Sequence, residues 1–242
     1  MTSPGRGYTV ALGREGELCP AILKGGTVMG VISLNGFKTE PGRLADHLAA
    51  SMEALGLLRG LGAQAVVLQA IAGGDIGTIA TSINYANNAD YAASTQKIQA
   101  DEKWQEFWIR AASEGSAMQV ESSLLSDIDP NFQPDPGRPM GAVMATQWRA
   151  KPGRIADFVG KVMESYEHIE RMGGTPRAMQ SVVGAHPMTT MVAVTFEDLD
   201  AYGAYADETA SDAQWQAFWA DSMADPTADM IRSGLYANIS GD

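Results

Sequence analysis

The first candidate for chemistry in this sequence is His47. It lies on the apolar stripe of a predicted helix, whose members recur at helical spacing: Leu44, His47, Leu48, Ser51, Met52, Leu55 and Leu58. A histidine changes its charge near neutral pH, so His47 can act as a general base, a general acid or a ligand donor. The alternative is a core histidine whose hydrogen bond is satisfied within the fold. Both interpretations stay open from the sequence.

Polar side chains of the segment TIATSINY form a second group of candidates. Ser82 and Asn84 alternate on one side of this predicted strand, and Thr81 and Tyr85 on the other. So many hydroxyl and amide groups on a buried strand either hydrogen-bond one another or line a cavity. As parts of a site, Asn84 and Tyr85 would orient a carbonyl or hydroxyl group of a ligand. Ser82, together with Asn35 on the first predicted strand, would add substrate contacts.

Three large aromatic residues stand close together in the segment DEKWQEFWIR. Trp104, Phe107 and Trp108 are spaced i, i+3 and i+4, so they share one face of a predicted helix. Such a face favours anchoring of the helix to a sheet, because large aromatic side chains bury much apolar area. The alternative is that Trp104 and Trp108 form the wall of a substrate pocket.

The aromatic motif returns 111 residues later, in DAQWQAFWAD, as part of a gapless internal repeat. At this offset EPGRLAD aligns with KPGRIAD, and residues 29–128 align with residues 140–239. Many matches at one constant offset indicate a tandem duplication. We therefore expect an N-terminal arm over residues 1–27, repeat 1 over 28–128, a Pro-rich linker over 129–139 and repeat 2 over 140–242.

Differences between the repeats show where one half departs from pure packing. His47 aligns with Phe158, and Ser33 on the first strand aligns with Met144. Asn35 aligns with Thr146. The polar member of each pair lies in repeat 1. A single active cavity is therefore expected in repeat 1.

Each repeat has the predicted element order βαββαβ, which is the ferredoxin-like motif. One sheet of this kind has a helix-covered face and a bare apolar face, which must be buried against something. A second copy on the same chain is the natural cover. The predicted fold class is α+β, with two tandem ferredoxin-like repeats whose sheets face each other.

On this element order and the P-G-R-x-A-D helix start, the chain resembles the dimeric α/β-barrel superfamily, near the NIPSNAP, antibiotic-biosynthesis monooxygenase and EthD-like families. The resemblance implies an intramolecular dimeric α/β barrel. It also implies a small-molecule enzyme that carries out cofactor-independent oxygenation or isomerisation of an apolar or aromatic compound. The alternative is a non-catalytic small-molecule-binding or self-assembling barrel. A homodimer is expected for either class.

Charge and composition limit which binding partners, cellular location and cofactors are expected. The net charge of −12 argues against binding to nucleic acids or to anionic membranes, because like charges repel. The chain has one cysteine, no long apolar run and no apolar segment behind a basic start, which predicts a cytoplasmic protein. The three histidines lack zinc-motif spacing, so no metal is expected. No cofactor is expected either, and haem on one axial histidine is the lesser alternative because basic residues for its propionates are not clustered.

Overall fold

The computed structural model describes residues 29–135 and 137–241. The arm expected over residues 1–27 lies outside the described residues. Repeat 1 contains β1 (Val31–Thr39), α1 (Leu44–Gly60), β2 (Gln64–Gly73), β3 (Thr78–Tyr85), α2 (Asn88–Ala100), α3 (Glu102–Glu114) and β4 (Ala117–Asp127). Repeat 2 contains β5 (Ala142–Ala150), α4 (Ile155–Arg171), β6 (Thr175–Val183), β7 (Thr190–Phe196), α5 (Leu199–Ser211), α6 (Ala213–Ala224) and β8 (Ala228–Asn238).

The eight strands form one closed antiparallel barrel in the order β1-β3-β2-β8-β5-β7-β6-β4. Each repeat supplies four adjacent strands, and the repeats meet at two seams, β2 with β8 and β4 with β6. The two sheets therefore join edge to edge around a common interior. Closure leaves no unpaired sheet edge, so the second repeat completes the hydrogen bonding of the first.

Glycines allow the backbones to approach at both seams. Gly73 at the end of β2 and its counterpart Gly184 after β6 have φ values of 97° and 139°. A Cβ on Gly73 would lie 2.4 Å from the backbone oxygen of Ser233, and one on Gly184 would lie 2.3 Å from Ser123 Oγ. Such contacts leave no room for a side chain, so a residue without Cβ stands at each seam.

Two apolar layers pack on opposite faces of the barrel wall. Inside the barrel, Ile32, Leu125, Met179 and Met191 form one cluster. On the outer face, the helices of each repeat pack over their own strands. In repeat 1 this outer core contains Val31, Leu55, Leu58, Ala65, Val67, Ile79, Ile83, Tyr85 and Ile98. None of the helices over residues 29–135 and 137–241 is long and apolar enough to cross a membrane.

The second helical region of each repeat is two helices, where the sequence predicted one. In repeat 1 the break falls at Asp101, whose carboxylate accepts a hydrogen bond from the backbone N–H of Trp104 at 2.9 Å and so caps α3. Gln105 Nε2 donates to the backbone oxygen of Gln99 at the end of α2, at 2.8 Å. Repeat 2 has the same two bonds: Asp212 accepts from the backbone N–H of Trp215, and Gln216 Nε2 donates to the backbone oxygen of Thr209. The repeated D-x-x-W-Q pattern therefore specifies this helix-helix junction.

The P-G-R-x-A-D segments form an ion pair at the start of α1 and another at the start of α4. Arg43 Nε lies 2.5 Å from the carboxylate of Asp46, and Arg154 Nε lies 2.6 Å from that of Asp157. These side chains are partly to largely exposed, so solvent screening keeps the contribution of each pair to the free energy of unfolding small.

Glycine substitutions test the seam. Gly73→Ala should lower the free energy of unfolding by more than about 1 kcal/mol, because the new methyl group meets the backbone of β8 and the positive φ is strained. The control is Gly56→Ala in α1, where a Cβ meets nothing within 4 Å and should raise stability by about 0.5 to 1 kcal/mol. Urea unfolding measures both. Equal effects of the two substitutions would contradict the seam's dependence on Gly73.

Candidate functional site

A cavity of about 490 Å³ lies in repeat 1, between the outer face of the sheet and helices α1, α2 and α3. Its floor comes from alternate residues of β1 and β3, namely Ser33, Asn35, Phe37, Thr81, Ile83 and Tyr85. The remaining walls come mainly from α1, α2, α3 and the start of β4, and include His47, Ser51, Tyr91, Thr95, Trp104, Phe107, Trp108, Ala112 and Gln119. The predicted location in repeat 1 matches this cavity.

Larger side chains occupy the corresponding space in repeat 2. Met144 and Met223 align with Ser33 and Ala112. Trp148, which aligns with Phe37, packs against Phe158 with 6.1 Å between ring centroids, and against Trp219 at 6.2 Å. Repeat 1 has a cavity because the smaller side chains of Ser33, Phe37 and Ala112 occupy these positions.

His47 is the histidine that lines the cavity. It lies near the start of α1, is 4 % exposed, and its Nδ1 lies 2.8 Å from the hydroxyl oxygen of Thr39. Phe37 contacts the imidazole edge-on, with 6.4 Å between ring centroids. Burial lowers the pKa of His47 below its usual value of 6.5, because a charged ring loses hydration. His47 is therefore neutral at pH 7 and able to accept a proton.

Two tyrosines stand at the end of the floor nearest α2. Tyr85 is buried and meets Tyr91 edge-to-face at 5.2 Å. Burial raises the pKa of Tyr85, while a hydrogen bond with the Thr95 side chain opposes this shift. The phenol therefore stays protonated and can serve as a hydrogen-bond donor.

A short chain of hydrogen bonds orients the amide of Asn35. Gln119 Nε2 on β4 donates to Asn35 Oδ1 at 3.2 Å, and Asn35 Nδ2 donates to Ser33 Oγ at 3.1 Å. With Oδ1 occupied as an acceptor, the second N–H of Asn35 is available for a ligand oxygen. Gln119 aligns with Met230, so the comparison of the repeats that singled out His47 also contained this signal.

The aromatic block of α3 walls the cavity and also packs the helix. Phe107 is buried, whereas Trp108 is 39 % exposed and lies 6.0 Å from the ring of Phe37. Trp104 and Trp108 are nearly perpendicular, at 88°. The corresponding Trp215 and Trp219 of repeat 2 are stacked at 22°. The perpendicular pair therefore occurs in the half that has the cavity.

Asn84 and Ser82 do not line this cavity, which corrects the expectation that they share it with Tyr85. Successive strand residues point to opposite faces, and these two face the barrel interior. Asn84 Oδ1 accepts a hydrogen bond from Arg177 Nη1 at 2.6 Å. Arg177 in turn pairs with the buried Asp127 at 2.7 Å. Asn84 therefore belongs to a polar network that joins the repeats.

The cavity lining does not fit haem. The ionisable residues that line it are His47, Tyr85 and Tyr91. The lining therefore offers no arginine or lysine to pair with the propionate groups of haem. Within residues 29–135 and 137–241 no group of three or more His, Cys, Asp or Glu side chains could hold a metal ion.

Comparisons with known proteins establish the fold. No family model and no curated protein matches the sequence. Among solved structures, an anthrone oxidase-like protein aligns over 88 % of this chain and 94 % of its own, with a TM-score of 0.57 and 13 % identity. A candidate monooxygenase from Fusobacterium nucleatum subsp. nucleatum aligns over 89 % and 97 %, with a TM-score of 0.58 and 12 % identity. The chain has the dimeric α/β-barrel fold.

A third dimeric α/β barrel differs in its described activity. This candidate chlorite dismutase aligns over 88 % of the present chain and 95 % of its own, with a TM-score of 0.53 and 10 % identity. One fold therefore carries different described chemistries, and at such identities the similarity establishes the fold alone. The function of this dimeric α/β barrel has to be argued from its own cavity.

Exchange of residues between the repeats tests the cavity. Ser33→Met should weaken binding of the neutral aromatic probe 2-naphthol at least about tenfold, because the longer side chain of the repeat 2 counterpart fills the floor. The control is Met144→Ser, which should cost about 1 to 3 kcal/mol of stability and leave probe binding unchanged. Quenching of tryptophan fluorescence measures binding. Unaltered binding to Ser33→Met would place the probe elsewhere.

The pKa of His47 predicts how stability changes with pH. The unfolded chain binds a proton near pH 6.5, whereas folded His47 binds it only at lower pH. The stabilisation from neutral burial is therefore complete above pH 6.5 and is lost as pH falls below that value towards the lowered pKa. His47→Phe should reduce the loss of stability between pH 7.5 and pH 5, as measured by urea unfolding. An identical pH slope in both proteins would contradict the lowered pKa.

Proposed function

We propose that repeat 1 binds a neutral, planar aromatic ketone or phenol and oxygenates it without a cofactor, with His47 as the base. The observation that carries this proposal is a buried histidine, neutral at pH 7 and held at Nδ1, that lines a cavity walled by aromatic side chains. A neutral imidazole beside an apolar cavity is suited to removing a proton from carbon next to a carbonyl group.

The lining favours an uncharged ligand. Aspartate, glutamate, lysine and arginine are all absent from the residues that line the cavity, and burial of an unpaired charge is costly. Trp104, Phe107 and Trp108 offer ring faces and edges to a planar molecule. Asn35 and Ser33 offer hydrogen-bonding groups on the opposite side, suited to a carbonyl or hydroxyl oxygen.

Anthrone serves as a defined probe for this chemistry, and the fold similarity to an anthrone oxidase-like protein supports its choice. His47 Nε2 takes a proton from the methylene carbon, and the amide N–H of Asn35 stabilises the enolate oxygen. The carbanion gives one electron to O₂, the two radicals combine to form a C–O bond, and the imidazolium protonates the resulting peroxide anion to the hydroperoxide. Loss of water gives the quinone carbonyl. One anthrone and one O₂ thus give one anthraquinone and one water.

Isomerisation uses the same base and differs in the fate of the carbanion. In that case His47 returns the proton to another carbon, and no O₂ is consumed. A non-catalytic binding protein would bind the aromatic molecule and leave it unchanged. Measurement of oxygen uptake and product formation with anthrone distinguishes these alternatives.

Replacement of His47 by the residue of repeat 2 tests the proposal. His47→Phe should lower the rate of anthrone oxidation by at least about 100-fold, because the base is lost, while the melting temperature changes by only a few degrees. The control is His186→Gln in the β6-β7 hairpin, outside the cavity. An oxygen electrode and the absorbance of anthraquinone measure turnover.

The outcomes separate the functions. Unchanged turnover in His47→Phe would rule out His47 as the base. Anthrone binding by the wild type without oxygen uptake would favour the binding protein or the isomerase, and proton exchange at the methylene carbon in deuterated water would then identify the isomerase chemistry.

A further inference from the structure

Thr39 contacts the histidine without lining the cavity. Its hydroxyl oxygen lies 2.8 Å from His47 Nδ1, and Thr39 is not among the residues that line the cavity. The hydrogen bond is therefore made on the side of the imidazole away from the ligand. Among residues 29–135 and 137–241, Nε2 of His47 has no hydrogen-bond partner, so it remains for the ligand.

The backbone fixes the position of the Thr39 hydroxyl. Thr39 N donates to the backbone oxygen of Gly77 at 2.9 Å, and Glu40 N donates to that of Ser116 at 3.0 Å. On the other side, His47 N donates to the backbone oxygen of Arg43 at 2.9 Å, so the first turn of α1 is already formed there. Both partners of the Thr39-His47 bond are therefore held by main-chain contacts.

Repeat 2 keeps this scaffold and lacks both partners. Lys151 N donates to the backbone oxygen of Thr227 at 2.9 Å, as Glu40 N does to Ser116. Ala150 and Phe158 stand where repeat 1 has Thr39 and His47. The strand-to-helix connection thus forms without the threonine-histidine pair, so the pair is not required for the local fold.

We propose that Thr39 is the positioning residue of His47 and holds its neutral imidazole in the tautomer with Nδ1 protonated. This inference rests on the proposed function, because a base that acts through Nε2 needs its lone pair there. Free neutral histidine favours the opposite tautomer, with Nε2 protonated. A hydroxyl group can donate to or accept from Nδ1, and a base that acts through Nε2 requires that the Thr39 oxygen accept the Nδ1–H bond, which opposes that preference.

Long-range ¹H–¹⁵N spectra of the full chain, labelled at histidine, test the tautomer directly. Wild-type His47 should show a protonated Nδ1 and an unprotonated Nε2 above its pKa, with assignment by the loss of signals in His47→Gln. Thr39→Val should shift the populations towards the Nε2–H tautomer, and Thr39→Ser should restore the wild-type pattern. The control is Thr195→Val, which removes a hydroxyl bonded to the Thr175 carbonyl at 3.4 Å.

Kinetics with anthrone give the functional consequence. Thr39→Val should lower kcat about tenfold and leave KM within about twofold, because Thr39 orients the base and does not touch the substrate. Thr39→Ser should recover most of the rate. A rise in KM with an unchanged kcat would overturn the positioning role.

Failure of this inference can be distinguished from failure of the proposed function. If His47 is the Nε2–H tautomer in the wild type, or if Thr39→Val leaves its nitrogen shifts unchanged, the positioning role is wrong even when anthrone is oxidised. If anthrone is not oxidised and the tautomer still depends on Thr39, the proposed oxygenation fails and the positioning of the imidazole is supported.

Discussion

Closure of the barrel across the two repeats is the constraint on which the rest of the structure depends. Each four-stranded sheet has its outer edges paired only by the other repeat, through β2 with β8 and β4 with β6. Ion pairs inside the barrel add to these seams, since Arg177 pairs with Asp127 and Arg232 pairs with Glu121 at 2.7 and 2.8 Å. β4 and β8 lie on opposite sides of the barrel, so the Arg232-Glu121 pair crosses its interior. Both repeats must therefore retain the residues of the seams and of the barrel interior, because otherwise the edge strands of each sheet lose their hydrogen-bonding partners.

The outer layers are under a weaker constraint, and there the repeats have diverged. Each set of helices packs mainly on the strands of its own repeat, with Ile239 of repeat 2 joining the outer core of repeat 1 and Ile128 joining that of repeat 2. A loss of volume in one outer layer therefore leaves the strand pairing at the seams intact. Repeat 2 keeps a filled layer around Trp148 and Phe158. The outer layer of repeat 1 is less completely packed and contains a cavity lined by the buried His47. Duplication thus allows one half to keep a filled outer layer while the other half has a cavity.

Sequence comparison within the chain could predict the fold and the half that holds the cavity, because the repeat offset aligns unlike residues such as His47 and Phe158. The alternation along β3 already puts Asn84 and Tyr85 on opposite faces, so their assignment to one site is wrong: Tyr85 faces the helices, whereas Asn84 binds Arg177 inside the barrel. The alignment of Gln119 with Met230 marks a polar difference between the repeats, but the contact of Gln119 with Asn35 follows a register shift between Gly36 and Phe37 that the sequence does not show. Such features depend on contacts between strands distant in sequence.

The central claim is that unequal outer layers leave one ligand site, beside His47 in repeat 1. A crystal structure of the protein soaked with 2-naphthol tests it most directly. The account predicts one probe molecule between β1 and α3, with its hydroxyl group on Asn35 and its rings against Trp104 and Trp108. Probe density in the outer layer of repeat 2, or within the barrel, with repeat 1 empty would contradict it.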